Sequence, residues 1–449
     1  MFDIFGFCIL LVIFVMYQLF CNAELFVIPY LNKTCTIGQF ELRDAKTGQC
    51  LFTNRSFYKT PTDGPVPVAM IYDKATFFRR FLLDQDVGLG ETYVEKIWNT
   101  DDLPLFLSNL YTNFTDCGPV YSTELLRNMV AQSLVCFSKD ADKERIHHHY
   151  DIGNDFYDLF LTDSFKAYTC GFWHGPDCTL EQAQQNKLDL IIKKIGVRPD
   201  QHILDVGCGW GQIAEYVAEK TKCKVTGLTI SDEQAKHIKE RGVIDCLHQD
   251  WRDLMTSTTH KKFDAIYSIG MLEAVRYENY DEFMRVMMHC LKPGGKLVLH
   301  FIVSLTDTPK KTIKNGTFIT KHIFPGGQIP KHEWMVESAL RNGWNLSHAE
   351  TMGGQHYART CRAWRDNLLR QENIDYVKRH YSENLLLQFD YYLASCVGAF
   401  SAGIMGLGHF VFVADPLLSL DHQYVPPLTN SDRCCTPILN PTDISHSKE

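Results

Sequence analysis

Between residues 202 and 212 the chain reads HILDVGCGWGQ, a short apolar run that ends in glycines at 207, 209 and 211. The run has the character of a buried strand, and the residues beyond it begin a helical pattern. Glycines at such a junction let the backbone turn sharply and let a ligand lie against it, as at the switch point of an open α/β sheet. Asp205 leads into the turn, and the spacing is G-x-G-x-G, not the dinucleotide G-x-G-x-x-G. Three further apolar runs, KVTGLTISDEQ, FDAIYSIG and GKLVLHFIV, are separated by helical patterns. That alternation implies a mostly parallel sheet with helices on both faces. Upstream, TLEQAQQNKLDLIIKKIG predicts a helix over 179–196. Thr179 and Gln182 have capping-box spacing, apolar residues recur with the helical period, and Gly196 ends the pattern.

A chain of 449 residues, 45% hydrophobic and 22% charged, has ample core for two to three domains. Its formal net charge of −8 gives no support to a nucleic-acid partner, which would favour a basic patch. The 16 cysteines are scattered singly apart from Cys434 and Cys435, a distribution of reduced and mostly buried thiols, not a disulfide framework. Residues 1–23 stand apart. From Ile4 to Ala23 there is no charge, and Ile4 to Phe20 would span ~25 Å as a helix, the signature of a signal peptide or membrane anchor. The nearest basic residues, Lys33, Arg43 and Lys46, follow the segment and favour an anchor with the bulk of the chain facing the cytosol. Glycosylation triplets at Asn32, Asn54, Asn113, Asn315 and Asn345 point the other way. Residues 26–130 mix short β-like runs with turns and form a smaller α+β domain; 145–410 hold the α/β unit; 421–449 are polar, proline-rich and read as disordered.

His147, His148 and His149 precede an acidic, aromatic run, YDIGNDFYDLF. Adjacent side chains point to different faces of a helix or strand, so three in a row do not converge on one ion. The chain has no HExxH or CxxC motif, and no metal is expected.

The glycine turn resembles the first motif of class I S-adenosylmethionine (SAM) methyltransferases, and LKPGGKLVL resembles a strand-entry turn of the same Rossmann-like fold. HHYDIGNDFYDLFL, YTCGFW (168–173), TISDEQ, SIGMLEAV (268–275), HIFPGG (322–327) and HYARTCRAW (356–364) then occur in that order. Together they closely resemble the cyclopropane-fatty-acyl-phospholipid synthases and mycolic acid cyclopropane synthases over residues 145 to 405. VGLGETYVEKIW extends the likeness to the N-terminal, lipid-binding type of domain found in the phospholipid-acting members. The histidine run then looks like the entry to a segment folded over the cofactor cleft.

The resemblance implies transfer of a methylene unit from SAM to the double bond of an unsaturated acyl chain, with bound bicarbonate as the base. A phospholipid membrane is the implied partner, and a homodimer is compatible with the family. The base site carries over to Cys170, Glu273, His300, Ile302 (through its backbone) and Tyr357, and Cys396 matches a cysteine often assigned to the family's active site. The SAM site carries over to Tyr168, Thr169, Asp205, Gly207, Cys208, Gly209, Gly211, Thr229, Ser231, Gln234, Asp250 and Trp251. Ser231 and Gln234 also have capping-box spacing and could simply start a helix. Taken singly, Cys170 reads as a core thiol, His300 as a satisfied core histidine and Tyr357 as packing; their joint occurrence inside these motifs favours a site. Relatives often carry histidine after the glutamate, where this chain has Ala274. Two other readings stay open: a SAM-dependent methyltransferase making a methyl branch or acting on a sphingolipid or amine, and a non-catalytic lipid-binding protein.

Overall fold

The computed structural model describes residues 22–54, 65–114, 152–256, 258–260, 262–306 and 317–414. The apolar segment 1–21, the histidine run, Asn315 and the 421–449 tail lie outside these residues, so the anchor, the histidine entry segment and the tail are not described.

Two α/β units share one helix. The first contains helix α1 (Glu24–Thr34), strands β1 (Glu41–Asp44), β2 (Cys50–Thr53) and β3 (Val68–Ile71), helix α2 (Lys74–Val94), strand β4 (Trp98–Thr100) and helix α3 (Leu103–Phe114). Its sheet has the order β2-β1-β3-β4, over a core that includes Phe40, Phe77, Trp98 and Phe106. Asn54 is wholly buried there, donating to the carbonyls of Cys35 and Gly38 and accepting from the Phe40 N–H. Asn113 is buried as well, donating to Gly38 and Asn109 and accepting from Ile37. Both amides are structural, so these two triplets are not glycan acceptors in the folded chain.

The second unit begins with α4 (Asn154–Asp158) and α5 (Leu180–Ile195). Then β5 (His202–Val206), α6 (Gln212–Thr221), β6 (Lys224–Thr229), α7 (Asp232–Arg241) and β7 (Asp245–His248) alternate. β8 (Phe263–Ile269), α8 (Leu272–Val275), α9 (Tyr280–Cys290) and β9 (Leu291–Ser304) follow. The rest comprises α10 (Phe318–His322), α11 (His332–Arg341), β10 (Asn345–Met352), α12 (Gln355–Leu368), α13 (Gln371–His380), α14 (Glu383–Ser401) and β11 (Met405–Val413). The seven strands take the order β10-β11-β9-β8-β5-β6-β7. β5 to β9 are mutually parallel, while β11 runs antiparallel between β9 and β10. Successive strands leave β5 first to one side and then to the other, so its carboxyl end is a switch point where a ligand crevice opens. α5 has the expected ends: Thr179 and Gln182 form a reciprocal capping box, and Gly196 closes the helix in the left-handed region at φ 63°.

α14 joins the units. Its Tyr391 and Ala394 lie in the core of the first unit, while Phe389, Leu393 and Cys396 lie in an aromatic core of the second. The Tyr93 hydroxyl donates to Asp390 Oδ2 at 2.7 Å, and Arg365 Nε donates to Asp390 Oδ1 at 2.6 Å. A buried carboxylate is thereby paired from both sides. Among the described residues no helix is long and apolar enough to cross a membrane.

Candidate active site

The glycine turn sits at the carboxyl end of β5. Gly207, Gly209 and Gly211 take φ values of 85°, 55° and 92°, which side-chain-bearing residues rarely adopt. A Cβ on Gly207 would come within 3.0 Å of Met271, whereas one on Gly209 would meet no protein atom within 4 Å. Open space against a strained, glycine-only backbone fits a ligand lying along the turn. The Cys208 thiol packs toward Gly227 of β6, so the backbone is what this residue offers to the turn's outer side. Trp210 donates its indole N–H to Asn154 Oδ1 at 2.8 Å, and its ring packs against Tyr157. The segment after the histidine run thus closes on the glycine turn through α4.

Around the turn, Asp205 is buried and accepts the Tyr267 hydroxyl at 2.9 Å; burial pushes its carboxyl up to about 7. Thr229, at the end of β6, donates its hydroxyl to Gln234 Oε1 at 2.8 Å. Ser231 caps α7 by accepting from the Gln234 N–H, the role its spacing predicts, but the reciprocal half is redirected to Thr229. Asp250 caps the short turn that carries Trp251, and Trp251 packs edge-on to Phe283 with Arg252 over its ring. Tyr168 pairs its hydroxyl with that of Tyr392 at 2.9 Å. Thr169 accepts from Lys187 Nζ at 2.9 Å.

The residues matched to the expected base site lie on β9, α8, α12 and α14 and in the segment before α5. Glu273, on α8 just past β8, accepts the Ile302 N–H at 2.7 Å through Oε1, while Oε2 is sealed from solvent without a hydrogen-bond partner among the described residues. Burial pushes this carboxyl up to about 7. His300 and Ile302 lie two residues apart on β9 and so face the same side of the sheet. His300 Nε2 is likewise buried and unpartnered, and burial together with Lys187 and Lys194 holds its ring well below the ordinary histidine value. Burial raises the Tyr357 phenol well above its usual range, and Cys361, Cys170, Glu273 and Cys396 add to the effect. Cys170, Glu273 and Cys396 thus lie within electrostatic reach of the Tyr357 phenol. Ala274 is exposed. No group of three or more metal-ligating side chains occurs among the described residues.

Three contributors escape the motifs. Lys187 and Lys194 are 1% and 2% exposed on α5, and His409 on β11 is 1% exposed. The signal for the lysines was present: 184, 187, 188, 191, 194 and 195 form the buried stripe of an amphipathic helix, with two cations on its apolar side. Cys361, beside Cys396, was legible only inside HYARTCRAW.

A mostly parallel sheet with a glycine turn at its switch point, the arrangement found here, is that of a SAM-dependent methyltransferase of class I fold. The mycolic acid cyclopropane synthetase family model matches residues 137–410. The cyclopropane-fatty-acyl-phospholipid synthase of Escherichia coli (strain K12) is 35% identical over 359 residues, covering 78% of this chain and 89% of the relative. Cyclopropane mycolic acid synthase 1 of Mycobacterium tuberculosis (strain CDC 1551 / Oshkosh) is 32% identical over 275 residues, covering 58% and 94%. The crystal structure of mycolic acid cyclopropane synthase CmaA1 complexed with SAH and CTAB superposes with a TM-score of 0.54 at 30% identity, covering 60% of this chain and 98% of that one. This chain belongs to the cyclopropane synthase family, and SAM is its cofactor.

Proposed function

We propose that the protein adds a methylene unit from SAM across the double bond of unsaturated acyl chains in phospholipids, with bicarbonate as the base. Bound SAM would supply an electrophilic methyl group, and bicarbonate a small, exchangeable base. The observation that carries the reading is the pair of sealed, unpartnered polar atoms, Glu273 Oε2 and His300 Nε2. Buried polar atoms are rarely left without partners, and an unpartnered acceptor and an unpartnered ring nitrogen suit a small group that both donates and accepts. Glu273 is oriented by the Ile302 N–H and would hold the anion's proton through Oε2. Tyr357 and Cys170 close the pocket around it.

The acyl side is supported by the aromatic enclosure of Tyr157, Phe160, Tyr168, Phe324, Trp364 and Tyr392. Such walls exclude water, which would trap a carbocation, and their faces favour passing positive charge. A phospholipid, not a mycolate, is favoured because the bacterial phospholipid synthase aligns over 78% of the chain, beyond the catalytic unit, whereas the mycobacterial relative aligns over 58%.

The test is turnover on vesicles of unsaturated phospholipid with and without bicarbonate. Ring formation that falls on stripping carbonate and returns on adding it is expected; turnover indifferent to carbonate would exclude the base assignment.

A further inference from the structure

A file of buried polar side chains runs from His300 through the sheet to its far edge. Glu350 Oε2, on β10, accepts from Lys194 Nζ at 2.8 Å. Lys194 Nζ also lies 2.6 Å from His409 Nδ1, and His409 Nε2 lies 2.7 Å from His300 Nδ1. His300 and His409 are direct cross-strand partners on β9 and β11, so the contact is fixed by the register of the sheet. At the other edge of the His300 ring is the unpartnered Nε2.

The chemistry of the first member sets the direction of every bond. An ammonium only donates, so His409 Nδ1 accepts. A neutral imidazole carries one N–H, which on His409 must then be Nε2–H, and it donates to His300 Nδ1. The single proton of His300 is left on Nε2. Burial beside Lys194 holds both rings well below the ordinary histidine value and so keeps them neutral. We propose that Lys194 and His409 are positioning residues that fix the Nε2–H tautomer of His300 and present it to the pocket as a neutral hydrogen-bond donor. The opposite tautomer would turn a lone pair toward an anion and repel it. This inference rests on the anion reading of the pocket, which it deepens by naming what sets the donor.

The test reads the tautomer directly, by long-range proton–nitrogen correlation on full-length protein with nitrogen-15-labelled histidine, without substrate. His300 is assigned by the loss of its signals in His300→Gln. In the native chain a protonated Nε2 and an unprotonated Nδ1 are expected. Lys194→Met/Glu350→Gln removes the donor without stranding the carboxylate; His300 should then populate both tautomers. Its kcat should fall on the order of ten- to a hundred-fold, the usual effect of losing a group that orients a ligand-binding histidine, with KM for SAM unchanged. His409→Gln can accept from Lys194 and donate to His300, so it should retain the tautomer and most of kcat, whereas His409→Phe should not. A native His300 protonated on Nδ1, or a tautomer unmoved in both Lys194→Met/Glu350→Gln and His409→Phe, would overturn the inference. Because the tautomer is read without turnover, a native enzyme that fails to close the ring sinks the proposed reaction and leaves this assignment standing. An active, ring-closing enzyme with the wrong tautomer does the reverse.

Discussion

Glu273 combines a held oxygen and one with no partner among the described residues in the same buried carboxyl. With its carboxyl pushed up by burial to about 7, the folded chain keeps a proton that the unfolded chain, near the ordinary value of 4.5, has released. Over that window the folded state binds more protons, so stability falls as pH rises from about 4.5 to about 7 and levels off above. Glu273→Gln, uncharged throughout, should match the native chain near pH 5 and exceed it near pH 8 in urea midpoint; equal midpoints at both values would contradict the assignment. The same variant should lose on the order of a hundred- to ten-thousand-fold in turnover, because the amide donates where the carboxylate accepted, with SAM affinity unchanged by calorimetry.

The junction of β5 and α6 separates a ligand role from a folding role. Gly207 is crowded by Met271, so a substitution there tests packing and binding together; Gly209 faces open space. Gly209→Ala should cost only about 1–2 kcal/mol of stability, the left-handed penalty for a side chain, yet weaken SAM binding well beyond that. A folded variant with native SAM affinity would remove the glycine turn from the cofactor site. α5 is legible from its sequence at both ends, and Thr179→Ala should cost about 1 kcal/mol in thermal unfolding. The β–α alternation was equally legible, since each strand is a short apolar run bounded by turns. The antiparallel insertion of β11 was not, because an apolar run carries no information about its neighbours' direction. The residues proposed for the base site were readable only as motifs: nothing local in KLVLHFIV distinguishes His300 from a satisfied core histidine. The partners that make the difference come from β11 and α5, far along the chain.

At the scale of the whole molecule, α14 belongs to both cores and carries Cys396 in the core cluster against which Tyr357 packs. Gly90 of α2 lets Phe318 of α10 and Tyr391 of α14 approach its backbone, with Tyr391 Cε1 at 2.7 Å from where a Cβ would stand. Gly90→Val should overpack that seam at a cost of about 1–3 kcal/mol and lower turnover through α14; an unchanged melting temperature would show that the units are not packed as one. In the proposed reaction a methyl group is transferred and then loses one hydrogen as a ring closes. Supplying SAM with a fully deuterated methyl group to vesicles of monounsaturated phospholipid distinguishes the outcomes by mass spectrometry of the acyl chains. Products that retain two deuterium atoms on the added carbon, the third having gone to the base, are expected. Products that retain all three would show simple methyl transfer and contradict the proposed reaction.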